Sequence, residues 1–133
     1  MIKRLLLALL ALSCASASAD TIGVTAWNIA RLSGLSTTVQ TVKQFGGRLG
    51  MLQCYNPNSS PVYIQIFNVA AASVTLGTTV SIASIPIAPT STGGFPQSQA
   101  GINVSGPISV AATTTATGSG QPSTAPDCNM TYL

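Results

Sequence analysis

The chain contains no histidine and no glutamate, and its only acids are Asp20 and Asp127. General acid–base catalysis draws on groups that exchange protons near neutral pH, chiefly histidine and paired carboxylates. Metal centres draw on histidine, thiolate or clustered carboxylates. With these residue types nearly missing, most catalytic mechanisms cannot be assembled within the chain. No catalytic residue, metal ligand or cofactor is expected, and a non-enzymatic role is. Serine, threonine and tyrosine hydroxyls are plentiful, but none has a histidine to activate it. A Ser–Lys pair would have to use Lys43, around which no supporting motif stands. The glycines at 46, 47 and 50 do not form a nucleotide-binding pattern that opens a helix.

Charge is scarce as well. Of 133 residues only five are Lys or Arg and two are acidic. Two of the cations, Lys3 and Arg4, precede the apolar run Leu5-Leu6-Leu7-Ala8-Leu9-Leu10-Ala11-Leu12, and Ala17-Ser18-Ala19 follows. A basic start, a short apolar core and an Ala-x-Ala exit are the parts of a secretory signal peptide. Residues 1–19 are therefore read as a leader cleaved between Ala19 and Asp20, with 20–133 as one mature domain, secreted to the periplasm or the cell exterior. The apolar run is too short to cross a bilayer core of about 30 Å. Cys14 after Ser13 leaves a lipoprotein reading open, although Ala11 stands where such signals usually carry leucine. The mature chain keeps Arg31, Lys43 and Arg48 against Asp20 and Asp127. Three scattered cations do not make the basic stripe that nucleic acid requires.

Without Cys14, Cys54 and Cys128 remain as an even pair in an oxidising compartment, and an internal Cys54–Cys128 disulfide is expected. The composition leans to Thr, Ser, Val, Ile, Ala and Gly, with Pro and Gly at short intervals, which favours many short strands. Val62, Ile64 and Ile66 alternate with Tyr63, Gln65 and Phe67, the period of a half-buried strand. Gly47–Tyr55 precedes it across the turn-rich Asn56-Pro57-Asn58-Ser59-Ser60-Pro61, and the two runs read as a hairpin. Further strands are expected at Thr79–Ile87, at Ile102–Ala112 with a bend at Ser105-Gly106-Pro107, and at Asn129–Leu133. The cysteine pair would set that last strand beside the middle of the sheet. Between them, 113–126 is rich in Thr, Ser, Gly and Pro and reads as a flexible loop. Ile29, Leu32, Leu35, Val39, Val42 and Phe45 recur at helical spacing, whereas Gly34 and Ser36-Thr37-Thr38 oppose a helix. Strands near Ile22–Ile29 and Thr37–Gln44 are favoured, with a short helix open. The fold class is all-β, a single antiparallel β-sandwich with jelly-roll-like or immunoglobulin-like layering.

Three aromatic residues are candidates for a binding patch. Trp27 could stack on a ligand, although a lone tryptophan in a small β-domain more often packs. Tyr55 and Tyr63 flank the proline-rich turn and are either a patch or simply cross-strand neighbours. Asn58-Ser59-Ser60, Asn103-Val104-Ser105 and Asn129-Met130-Thr131 match the N-glycosylation triplet, which matters only in a host that glycosylates.

The order Gly-Arg-Leu (47–49), Tyr-Asn-Pro-Asn (55–58), Val-Tyr-Ile-Gln-Ile-Phe-Asn (62–68), Gly-Thr (77–78), Ile-Pro-Ile (85–87) and Gly-Ile-Asn-Val-Ser-Gly-Pro-Ile-Ser-Val-Ala (101–111) resembles small β-sandwich proteins of tailed phages and prophages. Those are mostly uncharacterised and are thought of as virion structural or decoration components. The resemblance covers about residues 42–115 and implies a structural role with no catalytic residues. The leader and the cysteine pair depart from it and imply an exported relative, such as a subunit of a cell-surface layer or filament. A charged fraction this low also implies self-association, because soluble monomers usually carry charge on about a quarter of their residues. The alternative is a secreted carbohydrate-type binding module that uses Trp27, Tyr55 or Tyr63.

Overall fold

A computed structural model describes residues 26–98 and 100–133. The leader, its exit between Ala19 and Asp20, and the first part of the strand expected from Ile22 lie outside the described residues. Among the described residues nine strands follow in order: β1 Asn28–Leu32, β2 Gln40–Lys43, β3 Gly47–Asn56, β4 Val62–Phe67, β5 Ala83–Ile87, β6 Ser91–Phe95, β7 Ile102–Val104, β8 Ile108–Thr113 and β9 Asp127–Tyr132. A single 3-10 turn, Ala71–Ser73, interrupts the β4–β5 loop.

The strands form two antiparallel sheets. The first has the order β1-β9-β3-β6, and the second β2-β8-β4-β5. Strand β3 is ten residues long and takes two short partners on one edge, β7 against Gly47–Leu49 and β6 against Leu52–Asn56. Immunoglobulin-like layering would put the first two strands in one sheet. Here β1 and β2 lie in opposite sheets, and the interleaved order is that of a jelly roll. The β-sandwich is thus of the jelly-roll kind.

Alternation along the strands builds the core between the sheets. Leu49, Leu52 and Cys54 of β3, Cys128 and Met130 of β9, Val62, Ile64 and Ile66 of β4, and Ile108, Val110 and Ala112 of β8 form one buried cluster. Each large aliphatic chain buried there contributes about 1.5–3 kcal/mol relative to exposure. Pro86 sits in β5, at the edge of the second sheet, where a strand tolerates the loss of a donor.

Several sequence expectations need correction. The runs around Asn56–Pro61 are strands, but they form no hairpin, because β3 belongs to the first sheet and β4 to the second. The connector is an arch between sheets, held by Asn56, whose Nδ2 donates to the carbonyls of Ser60 at 2.9 Å, Ala88 at 3.1 Å and Ile87 at 3.2 Å. The strand expected from Thr79 begins only at Ala83. Before it, Thr79 N–H donates to the Thr75 carbonyl and Thr79 Oγ1 accepts from Thr75 N–H, closing a turn instead. The helical spacing from Ile29 to Phe45 makes no helix. Gly34 at φ +65° ends β1 in a turn, and Leu35 is buried with its N–H bonded to the Pro126 carbonyl.

The segment 113–126 is irregular, as composition suggests, but it is not a loose linker. Pro122 and Pro126 are buried. Asn58 Oδ1 accepts from Thr124 N–H at 2.8 Å and from Ser123 Oγ at 2.6 Å, while its Nδ2 donates to the Thr124 carbonyl at 2.8 Å. Strand β6 was not legible in Ser-Thr-Gly-Gly-Phe, because its two glycines are poor strand formers.

Candidate functional site

The two outer faces of the sandwich differ. On the second sheet Tyr63, Gln65 and Phe67 point away from the core, since Val62, Ile64 and Ile66 point into it. Most of this face is covered. Phe67 and Ala111 are fully buried outside the main cluster. The β4–β5 loop returns over it, with the Val69 carbonyl accepting from Ser109 Oγ at 2.8 Å. Gln65 Nε2 donates to Thr113 Oγ1 at 2.7 Å and to the Gly118 carbonyl at 2.9 Å, which fastens the start of the β8–β9 loop to the same face.

The outer face of the first sheet is open over its middle. Pairing sets Arg31 of β1, Asn129 of β9, Gln53 of β3 and Gly94 of β6 side by side in one row across four strands. The next outward row holds Asp127, Tyr55 and Thr92. All seven are exposed, Tyr55 by 51%. Asp127 Oδ1 accepts from Gly34 N–H at 3.0 Å. That bond, with a hydrogen bond from the Ser33 side chain and the nearby charge of Arg31, holds the Asp127 carboxyl below the usual value near 3.8. A shallow groove of about 220 Å³ runs beside these rows, lined in part by Gln53, Thr92, Gly94, Phe95 and Pro96.

The three aromatic candidates do not come together. Tyr55 is on the outer face of the first sheet and Tyr63 on that of the second, half-buried beside Pro86 and Thr113. The arch between β3 and β4 sends them to opposite sides of the molecule, so they are neither one patch nor cross-strand neighbours. Trp27 shares the face of Tyr55 but stands toward the other end of β3. It is half-buried, and its ring occupies the space over two glycines: a Cβ on Gly50 would come within 2.6 Å of the ring and one on Gly101 within 3.1 Å. Beside it, Thr131 Oγ1 bonds Gln97 Oε1 at 2.7 Å. Trp27 packs across the sheet.

Cys54 and Cys128 are bonded, as expected, and both are buried. Asn58 of the first glycosylation triplet is buried and fully engaged, while Asn103 and Asn129 of the others are exposed. Arg31, Gln53, Asp127 and Asn129 were not among the binding-patch candidates from sequence, although a signal existed. Strand alternation puts Gln53 on the face of Tyr55. The Cys54–Cys128 bond, taken as antiparallel, then sets Asp127 against Tyr55 and Asn129 against Gln53.

Among the described residues no three His, Cys, Asp or Glu side chains gather as metal ligands, and no helix is long and apolar enough to cross a membrane. Comparison with protein-family models, with curated proteins and with solved structures gave no match.

Proposed function

We propose that the protein is a non-enzymatic structural subunit, exported from the cytoplasm and assembled with copies of itself into a surface layer, a filament or a virion-like particle. The observation that carries this reading is a set of large apolar side chains left exposed on a chain with very little charge. Phe45 in the β2–β3 turn is 74% exposed, and Val80 and Ile82 in the β4–β5 loop are 88% and 45% exposed. Ile29 in β1 and Ile102 at the start of β7 are exposed as well, by 72% and 39%. Two of the cations are engaged by backbone. Lys43 Nζ donates to the Leu133 carbonyl at 2.6 Å, and Arg48 Nε donates to the Ala100 carbonyl at 2.9 Å.

Large apolar side chains left in water mark surfaces that another molecule covers. A second copy is the simplest cover. Contact between unlike patches of successive copies would propagate into a ring or a filament. The jelly roll serves capsid subunits and lectins alike, so the fold is compatible with this role without selecting it. The buried disulfide suits an oxidising compartment.

Light scattering and electron microscopy of the native protein test the reading. Ordered filaments, sheets or particles are expected, dispersed by the double substitution Phe45→Asp and Val80→Asp. A clean monomer at high concentration would overturn the assembly role. Turnover of a substrate that a single point substitution abolishes would overturn the non-enzymatic one.

A further inference from the structure

We infer that the open outer face of the first sheet binds a neutral glycan, with Tyr55 as its stacking platform and Gln53, Asn129, Arg31, Asp127 and Thr92 as its hydrogen-bonding rim. This goes beyond the assembly role and is independent of it. Tyr55 is on the outer face of the first sheet next to the β3–β4 arch, whereas Phe45, Val80 and Ile82 lie in the β2–β3 turn and the β4–β5 loop.

A pyranose ring has an apolar face of C–H groups and a rim of hydroxyls, each both donor and acceptor. Its receptor needs an exposed ring for the face and mixed polar groups for the rim. Tyr55 is the one aromatic residue of the two outward rows and is half exposed. Adjacent strands are about 4.8 Å apart, so its neighbours Asp127 and Thr92 flank it within a sugar's width. The row beside it supplies the donors of Arg31 and the amides of Asn129 and Gln53, each amide with two donors and a carbonyl acceptor. The buried amides of Asn56, Asn58 and Gln65 are engaged by the protein itself. Those of Gln53 and Asn129 have no hydrogen-bond partner among the described residues.

Space and charge narrow the ligand. Gly94 leaves the β6 end of the polar row without a side chain, and the groove of about 220 Å³ opens there next to Gln53. Arg31 and Asp127 carry opposite charges on the same face. These two rows are therefore neutral in sum, and a polyanion placed on them would meet the Asp127 carboxylate. Within these two rows Tyr55 is the only large apolar group, and the exposed Ile29 stands in the row beyond them. The chemistry that fits is an uncharged oligosaccharide.

Calorimetric and NMR titration of the full mature protein with cello-, manno-, galacto- and chito-oligosaccharides, and with oligogalacturonate as the acidic probe, tests this. Saturable binding of at least one neutral series is expected, weakened at least about tenfold by Tyr55→Ala and several-fold by Gln53→Ala or Asn129→Ala, with Tyr55→Phe retaining most of it. Oligogalacturonate should not bind. Circular dichroism and an intact disulfide establish that each variant is folded. No binding of any neutral series up to about 10 mM, binding that survives Tyr55→Ala, or a preference for the acidic probe would each overturn the inference. So would a folded Tyr55→Ala variant that alters particle assembly while the parent protein binds no sugar, which would make this face a subunit contact.

Discussion

Cys54 and Cys128 stand directly opposite one another in the antiparallel pair of β3 and β9, their Cα atoms 4.0 Å apart and their sulfurs joined. These two strands lie in the middle of the first sheet, so the covalent link crosses a ladder that hydrogen bonds already hold. In the unfolded chain the same link closes a loop spanning 74 positions. Its main effect therefore falls on the unfolded state, whose freedom it restricts. Reduction, or paired Cys54→Ala and Cys128→Ala substitution, should lower stability by roughly 4–5 kcal/mol in the chain-entropy limit. Denaturant unfolding with and without reductant checks this, and mass spectrometry of the unreduced protein should find no free thiol at either position.

Asn58 is the tie between two loops at the arch end. Its Nδ2 also donates to Asn56 Oδ1 at 2.8 Å, and its own carbonyl accepts from Thr90 N–H at 2.9 Å. Asn58→Ala strands Thr124 N–H and removes one of the two hydrogen bonds that Asn58 gives Asn56 Oδ1, so a loss of about 1–3 kcal/mol is expected. Hydrogen exchange should rise at Thr124 first. Unchanged protection at Thr124 in the variant would contradict this assignment.

Gly94 adopts φ +143°, and a Cβ there would run into the Leu52 carbonyl of the neighbouring strand. Gly94→Ala should cost more than about 1 kcal/mol, because both the backbone conformation and the β3–β6 approach are lost. Gly34→Ala is a control at φ +65° with open space around the new methyl. It should show the conformational cost alone and be the milder of the two in thermal unfolding.

With no histidine in the chain, stability should be flat between about pH 5 and 8. Below that range Asp127 matters. Its folded pKa lies under the unfolded value, so its contribution is complete above about pH 4 and is lost as pH falls through the folded pKa. Asp127→Asn should remove this acid-side slope. A pH series of melting temperatures for both proteins checks the sign.

The strands of β4, β8 and β9, the bend between β7 and β8 and the cysteine bond were legible because each rests on local alternation or on simple pairing. The separation of β3 from β4 was not. Asn-Pro-Asn-Ser-Ser-Pro has the residues of any tight connection, and what makes it an arch is the reach of Asn56 to Ile87 and Ala88, more than thirty positions away. For the same reason Tyr55 and Tyr63, near in sequence, are far apart in space. Strand β6 was hidden by its glycines, whose value lies in how closely they let β3 approach. Tyr55 was visible as a candidate, whereas its polar neighbours emerged only once three other strands were laid beside it.

The cysteine bond also bears on how the molecule responds to proteolysis. Strands β4 to β8, including the whole central part of the second sheet, lie between residues 54 and 128. One cut anywhere in that interval, in the exposed Thr117 or Ser119 region for example, opens a ring without releasing a fragment. A nicked molecule remains one covalent body, with both pieces of the jelly roll still tethered at its centre, and it takes a second cut or a reductant to take it apart.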